Sequence, residues 1–366
     1  MKKIISVVGA RPNFMKVAPI HRAFDKYKDI VEHKIVHTGQ HYDAKMSDAF
    51  FNDLDMPHPA HFLNVGSGSH AVQTAKVMVE FERVCLEEKP DFVIVVGDVN
   101  STLAASITAV KLGIPVAHVE GGLRSGDRAM PEELNRLATD AISNYCFMTE
   151  KSALEHLTRE AFPAENMYMV GNTMIDSQFY ALPKCDNSKV LEANNLSPRE
   201  YALITIHRPS NVDEPEQLEM LLKVFEYLSK FRKIVFPIHP RTLKNIEKFN
   251  LQKYTEANKN IIFLEPQGYI DFLQLMRNSD FVMTDSGGIQ EETTAIKIPC
   301  LTIRTTTERP ITIEIGTNRL ISPEYDTIIA AIDDILNKPR KEAKIPELWD
   351  GKAAERIAEI IVNELL

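Results

Sequence analysis

The stretch MTDSGGIQEETTAIKIP (Met283–Pro299) places two glycines and two adjacent glutamates directly behind an apolar run. The run that leads into it, DFVMTD, reads as a short buried strand. Gly287 and Gly288 break that strand before IQEETTAI opens a helix. A strand, a small-residue turn and a helix N-terminus together make an anion site, because free backbone N–H groups and the helix dipole converge on one point. A carboxylate one turn into the helix suits phosphate poorly. It is well placed to accept hydrogen bonds from sugar hydroxyls.

The same unit recurs outward along the chain. In the first half, IISVVG, HKIVHTG, DFVIVVGD, PVAHVEGG, NYCFMT and MYMVGN are strand-length apolar runs, separated by helical patterns such as AVQTAKVMVEFERVCLEE and STLAASITAVKLG. After residue 199 the alternation restarts with YALITIH, KIVFPIH, NIIFLEP, DFVMTD, PCLTIR and NRLIS. Strands that are apolar throughout and alternate with helices indicate parallel sheets covered on both faces. The polar stretch LPKCDNSKVLEANNLSPR (Leu182–Arg199), with two prolines, is the candidate linker. The expected fold class is therefore α/β, with two doubly wound domains and a cleft between them. Their expected bounds are residues 1–182 and 199–350, with residues 351–366 forming a C-terminal helix that packs back on the first domain.

Composition supports this organisation. A chain of 366 residues exceeds one ordinary core, and 44% hydrophobic with 25% charged residues is typical of a soluble globular protein. The net charge of −9, from 42 basic and 51 acidic residues without a basic tract, argues against a nucleic-acid partner. The cysteines Cys85, Cys146, Cys185 and Cys300 lie far apart with no C-x-x-C pair, as expected of reduced thiols in a cytoplasmic protein. The N-terminal MKKIISVVGARP has an apolar run too short for a signal peptide and reads as a first strand. No segment has the length and apolarity of a membrane helix, so no membrane partner is expected.

Ligands of doubly wound sheets bind at the carboxyl ends of the strands, so the polar residues there carry the functional reading. GARPNFMK follows the first strand and offers Arg11 and Lys16, which could equally be solvated surface charges. VVGDVNST ends a strand at Asp98, a position that would also suit a helix cap. HVEGG ends the next strand at Glu120, where a carboxylate before two glycines faces a ligand rather than a core. MPEELNR opens a helix with Glu132 and Glu133, which could simply complement its dipole. Asp98, Glu120 and one of the Glu132/Glu133 pair thus fall on neighbouring loops, an arrangement in which carboxylates push one another's pKa values apart. None of these loops has a D-x-D or H-x-H spacing, so a metal site is not expected.

In the second half, ITIHRPSNVD ends a strand with His207 and Arg208, and FPIHPR does the same with His239 and Arg241, although Pro240 also fits a rigid turn. EPQGYIDF supplies Gln267 and Phe272 for polar and stacking contacts with a flat base, and TTTERP supplies Arg309. Together these features suggest a nucleotide sugar and leave transferase, hydrolase and isomerase open.

Read as a set, the motifs resemble the non-hydrolysing UDP-N-acetylglucosamine 2-epimerase family. The matching stretches are GARPNFMK, HTGQHYD, GDVNST, HVEGGLRSGDRAMPEELNR, GNTMID, TIHRPSN, EPQGY and TDSGGIQEE through TTTERP, in family order from residue 9 to residue 310. The resemblance implies two Rossmann-like domains of the glycosyltransferase-B kind, a homodimer and a UDP-sugar in the cleft. It also implies anti elimination of UDP to 2-acetamidoglucal and re-addition with carbon 2 inverted, in the service of polysaccharide synthesis. By motif position, Asp98, Glu120 and Glu132 resemble the catalytic carboxylates and His207 the histidine near the diphosphate. Arg11 and Lys16 resemble phosphate and substrate contacts, with His239 a further substrate-binding residue. Ser286, Gly287 and Gly288 resemble the diphosphate cradle, Glu292 the ribose contact, and Gln267, Phe272 and Arg309 further nucleotide contacts. Elimination needs a base and neutralisation of a leaving diphosphate but no cofactor, and no G-x-G-x-x-G with an acidic strand end is present to hold NAD.

Two departures stand out. Many members read His-Arg-Arg-Glu-Asn where this chain has HRPSN, and Asp43 stands where enzymes activated by their own substrate often carry Gln. Such activation is therefore not expected. The alternatives are a hydrolysing epimerase releasing N-acetylmannosamine, an epimerase for a modified UDP-acetamido sugar, a glycosyltransferase of the same architecture and a nucleotide-sugar-binding regulator.

Overall fold

Every strand pairing among the described residues is parallel, and the strands fall into two sheets. The computed structural model describes residues 1–39, 53–256, 258–340 and 342–366, so Gln40 and Asp43 of the HTGQHYD motif lie outside the described residues. The chain divides into two compact units, Met1–Ala181 with Glu347–Leu366, and Leu182–Pro346.

The first unit holds β1 (Lys2–Val8), β2 (Val31–His37), β3 (His61–Phe62), β4 (Phe92–Val96), β5 (Val116–Val119), β6 (Tyr145–Met148) and β7 (Met167–Met169), in the order β3-β2-β1-β4-β5-β6-β7. The second holds β8 (Tyr201–Thr205), β9 (Lys233–Pro237), β10 (Ile261–Leu264), β11 (Phe281–Thr284), β12 (Cys300–Ile303) and β13 (Asn318–Ile321), in the order β10-β9-β8-β11-β12-β13. Both are Rossmann-like doubly wound sheets, and each reverses its strand order once. The reversals lie at β1/β4 and at β8/β11, and such switch points are where ligands of this architecture bind.

The central strands read as apolar runs because helices cover both their faces. All five residues of β4, FVIVV, are buried. In the first unit, Phe81 and Val84 from α2 (His70–Glu88) and Ala104 and Ala105 from α3 (Asn100–Lys111) pack with Val93 and Val95. In the second, Leu221, Phe225 and Ile332 pack with Ile234, Phe236 and Leu301. All four cysteines are buried thiols.

Leu182–Arg199, expected to be a linker, is folded into the second unit. It contains a 3-10 turn (Leu182–Asn187) and a short helix (Val190–Ala193), and Val190, Leu196 and Cys185 are buried. Three buried side chains anchor it, too few to show as a pattern in so polar a stretch. In the first unit, the segment from residue 347 is clasped from several sides. Trp349, 1% exposed, donates from its indole N–H to the Thr149 carbonyl at 3.0 Å. The Asp176 carboxylate accepts from the Ala353 and Ala354 amides at 3.2 and 2.7 Å, capping the helix Ala353–Ile360.

Candidate active site

At the first switch point, β1 runs into α1 (Arg11–Phe24), which follows the extended residue Ala10. Asn13 fixes this entry. Its Oδ1 accepts from the Gly9 and Ala10 amides at 3.0 Å each, and its Nδ2 donates to the Val96 carbonyl at 3.1 Å, bonding α1 to the end of β4. Arg11 is the first residue of α1, and its side chain lies outside what the structure describes. Lys16 lies one turn further on. It is buried, and its Nζ donates to Glu120 Oε2 at 2.7 Å. A Cβ on Gly97 would come within 2.9 Å of the same Nζ, so the ammonium lies against the backbone just before Asp98.

Glu120 follows β5 with φ +72°, in the left-handed region that a residue with a Cβ adopts only under strain of about 1–3 kcal/mol. Its side chain is 2% exposed. A strained, buried carboxylate paired with a buried lysine is costly unless something else uses it. Asp98, partly exposed at the end of β4, is ion-paired with Arg136 of α4 (Pro131–Ile142). Asn135 Nδ2 donates to the Asp98 carbonyl at 2.9 Å.

The two adjacent glutamates of PEELNR separate by face. Glu133 is buried and accepts from the Ser125 and Gly126 amides at 2.9 Å each and from Arg136 Nη2 at 2.8 Å. Burial alone would raise its pKa, but these donors outweigh it and hold the carboxyl below its usual range. Glu132 is exposed on the same first turn. Glu133 thus orders the loop, and Glu132 stands at the surface. The cations Arg136 and Lys16 meet Asp98 and Glu120 directly, where the sequence had suggested carboxylates acting on one another.

At the second switch point, Asp285 organises the strand ends. Fully buried after β11, it accepts from the His207 and Arg208 amides at 3.0 and 2.8 Å and from Asn211 Nδ2 at 3.0 Å. His207 Nδ1 lies 3.2 Å from Asp285 Oδ1, and the side chain is 42% exposed. The His239 ring is tilted at 5.6 Å from that of His207, and its Nδ1 accepts from the Arg241 amide at 3.1 Å, capping the helix Pro240–Lys248. Arg241 itself is ion-paired with Asp213.

The opening stretch forms the strand and helix it predicts, except that Gly287 and Gly288 lie in the first turn of the helix and not in the break before it. Ser286 is the N-cap of α6 (Gly287–Ala295), with no side-chain cap bond. The preceding α5 (Tyr269–Asn278) begins behind Gly268, next to Gln267, whose Nε2 donates to the Glu265 carbonyl at 2.6 Å. Glu292 is buried and accepts from the Tyr269 hydroxyl at 2.7 Å. Burial and that carboxylate push the Tyr269 phenol well up. Phe272 is half-buried and packs against the apolar cluster containing Leu275 and Ile289. Arg309 is buried, its Nε donating to Glu291 Oε1 at 2.5 Å, so the first glutamate of the pair serves an internal ion pair. Glu308 lies against the helix start, since a Cβ on Gly287 would come within 2.4 Å of its Oε1, and Arg304 Nη2 donates to Glu308 Oε2 at 2.9 Å.

Asp285, Arg136 and Glu308 are the site residues that sequence reasoning missed. Asp285 stands inside the opening quotation as a strand-end carboxylate, and Arg136 lies one turn from Glu132, so position alone could have flagged both. Among the described residues, no group of three His, Cys, Asp or Glu side chains is placed to hold a metal ion, and no helix is long and apolar enough to cross a membrane.

Two doubly wound units, one with cation-matched carboxylates at its switch point and one with a glycine-led helix N-terminus beside Glu308 at its own, define a Rossmann-like α/β protein. The family model for UDP-N-acetylglucosamine 2-epimerase matches residues 22–362. The UDP-N-acetylglucosamine 2-epimerase of Methanocaldococcus jannaschii is 43% identical over 364 residues, covering 98% of each chain. The crystal structure of the M. jannaschii UDP-GlcNAc 2-epimerase in complex with UDP-GlcNAc and UDP superposes with a TM-score of 0.90 at 42% identity, covering 99% of each chain. The UDP-2,3-diacetamido-2,3-dideoxy-D-glucuronate 2-epimerase of Pseudomonas aeruginosa is 35% identical, with 99% of each chain covered. The chain belongs to the UDP-N-acetylglucosamine 2-epimerase family, and so to the isomerases.

Proposed function

We propose that the protein interconverts UDP-N-acetylglucosamine and UDP-N-acetylmannosamine by eliminating and re-adding UDP. The observation that carries this reading is the buried Lys16–Glu120 pair, which joins α1 at the first switch point to the strained residue after β5, against the backbone just before Asp98. In the forward direction a carboxylate removes the proton at carbon 2. The carbon 1–oxygen bond breaks, UDP leaves with the electron pair, and 2-acetamidoglucal remains bound. A proton is then delivered to the opposite face of carbon 2, and the UDP oxygen adds back at carbon 1. Asp98, Glu120 and Glu132 are the groups we assign to these proton transfers. Lys16 and Arg11 neutralise the substrate's negative charge, and Arg136 fixes the direction of Asp98.

In the second unit, the N-terminus of α6 at Ser286, Gly287 and Gly288 receives the diphosphate, and His207, held by Asp285, faces it. Glu292, fixed by the Tyr269 hydroxyl, takes the ribose hydroxyls. Gln267, Phe272 and His239 complete the nucleotide contacts, and Arg309, paired with the buried Glu291, is a positioning residue beside them.

A second reading, epimerisation of a modified UDP-acetamido sugar, is favoured by the likeness to the diacetamido-glucuronate enzyme. Incubating the purified protein separately with UDP-N-acetylglucosamine and with UDP-2,3-diacetamido-2,3-dideoxyglucuronate, and following each by proton NMR, decides between them. Conversion of the first to UDP-N-acetylmannosamine is the expected result. Release of free N-acetylmannosamine would instead establish the hydrolysing reaction, and no turnover of either would reject both readings. The homodimer implied by the family likeness is tested by sedimentation equilibrium, where a single monomeric species would reject it.

A further inference from the structure

We propose that His118 is a doubly protonated positioning residue, whose imidazolium ties together the three segments that carry Asp98, Glu120 and Glu132. His118 is fully buried on β5. Its Nδ1 lies 2.6 Å from Asp140 Oδ1, and its Nε2 lies 2.7 Å from the carbonyl oxygen of Gly97. A carbonyl oxygen can only accept. Asp140 also accepts elsewhere, because its Oδ2 receives the Gly122 amide at 2.9 Å and lies 2.7 Å from Arg124 Nη2. The Cys146 thiol approaches Oδ1 at 3.6 Å as a further donor. Burial opposes charge on the Asp140 carboxyl, but the Arg124 guanidinium at 2.7 Å and the Gly122 amide at 2.9 Å compensate it independently of His118, so it is an anion. With an acceptor at each ring nitrogen, a neutral imidazole would set one lone pair against an oxygen closer than 2.8 Å. Only the imidazolium donates twice.

The charges around the ring close on themselves. Asp140 comes from α4, Arg124 from the loop after β5, and Glu160 pairs with Arg124 at 2.6 Å, so two cations face two anions. The ring's partners are also the segments of the proposed chemistry. Gly97 immediately precedes Asp98. Glu120 lies two residues beyond His118, just past the end of β5 and at the strained φ of +72°. Asp140 lies about two turns along α4 from Glu132. One buried cation therefore fixes the end of β4, the turn after β5 and α4 relative to one another. It touches no reacting atom, and its role in turnover rests on the carboxylate assignments proposed above.

The test is nitrogen NMR of the full-length protein labelled at the histidine ring nitrogens, with and without Asp140→Asn. In the wild type both ring nitrogens of His118 should show a directly bonded proton at pH 7.5, as two acceptors at 2.6 and 2.7 Å require. A proton-free ring nitrogen at pH 7.5 would overturn the proposal. In Asp140→Asn, the backbone amide signals of Gly97, Asp98 and Glu120 should shift. The kcat for UDP-N-acetylglucosamine should fall about 10²-fold, the scale for misplaced reacting groups, with KM changed less than about threefold. Unchanged amide signals and unchanged kcat would sink the positioning role. If Asp140→Asn fails to fold, His118→Gln serves for the second comparison. If the wild-type protein does not turn over UDP-N-acetylglucosamine, the proposed function falls, while the ring-nitrogen and amide spectra still decide on His118.

Discussion

Replacing Asp285 by alanine gives the sharpest test of how the second switch point is built. The carboxylate is fully buried and accepts from the His207 amide at 3.0 Å, the Arg208 amide at 2.8 Å and Asn211 Nδ2 at 3.0 Å. Alanine supplies no acceptor, so three donors lose their partner. Each such loss costs about 1–3 kcal/mol, more when the acceptor is charged and less where water can reach the donor. Because the His207 and Arg208 amides are only partly buried, the lower part of that range applies, and the local cost should total about 3–5 kcal/mol. Amide hydrogen exchange reads this directly. In Asp285→Ala, exchange at His207 and at Arg208 should each accelerate roughly 5- to 20-fold, since each amide loses one bond of about 1–1.7 kcal/mol and about 1.4 kcal/mol corresponds to tenfold. Asp285→Asn, which keeps one acceptor oxygen, should fall between variant and wild type. Unchanged exchange at both amides in Asp285→Ala would show that the carboxylate does not hold the His207 loop.

Three further outcomes follow from the same geometry. Glu292→Gln should weaken UDP binding by about 1–3 kcal/mol, the scale of charged hydrogen bonds, and calorimetry showing unchanged affinity would remove Glu292 from the site. Gly287→Val should abolish UDP binding with the circular dichroism of the fold retained, because a Cβ there already comes within 2.4 Å of Glu308 Oε1 at the helix start. Normal UDP affinity in that variant would refute the anion-cradle reading. Asp176, raised by burial from 3.8 to about 6, should titrate near pH 6 by carbon NMR. Because its folded pKa is raised, its contribution to stability is greatest below pH 3.8 and declines as the pH rises to about 6. A carboxyl titration midpoint below pH 4 would contradict this.

Much of the fold was legible because parallel strands covered on both faces must be apolar throughout. FVIVV and YALIT announce β4 and β8 without any alternation. The folded segment Leu182–Arg199 was not legible, since it is held by a few separated side chains such as Val190 and Leu196 rather than by a periodic face. At the site, strand-end positions picked out Asp98, Glu120 and His207. What they could not show was pairing across sequence distance. Glu132 and Glu133 are neighbours in the chain but point about 100° apart on a helix, and only the loop Ser125–Gly126 reveals which one is engaged. Arg309 reads as a ligand contact until the fold brings Glu291 to its guanidinium. His118 sits inside an apolar run, and nothing local in PVAHVEGG discloses its partner on α4.

The central claim, proton removal and return at carbon 2 through elimination of UDP, is tested most directly in deuterium oxide. Purified protein is incubated there with UDP-N-acetylglucosamine, and the product's carbon 2 is followed by proton NMR. A carboxylate that exchanges its proton with solvent must leave deuterium at carbon 2 of UDP-N-acetylmannosamine, and Asp98→Asn, Glu120→Gln and Glu132→Gln should each slow its appearance by about 10²-fold or more. Epimerised product that retains its original hydrogen at carbon 2 would contradict the elimination account and the carboxylate assignments with it.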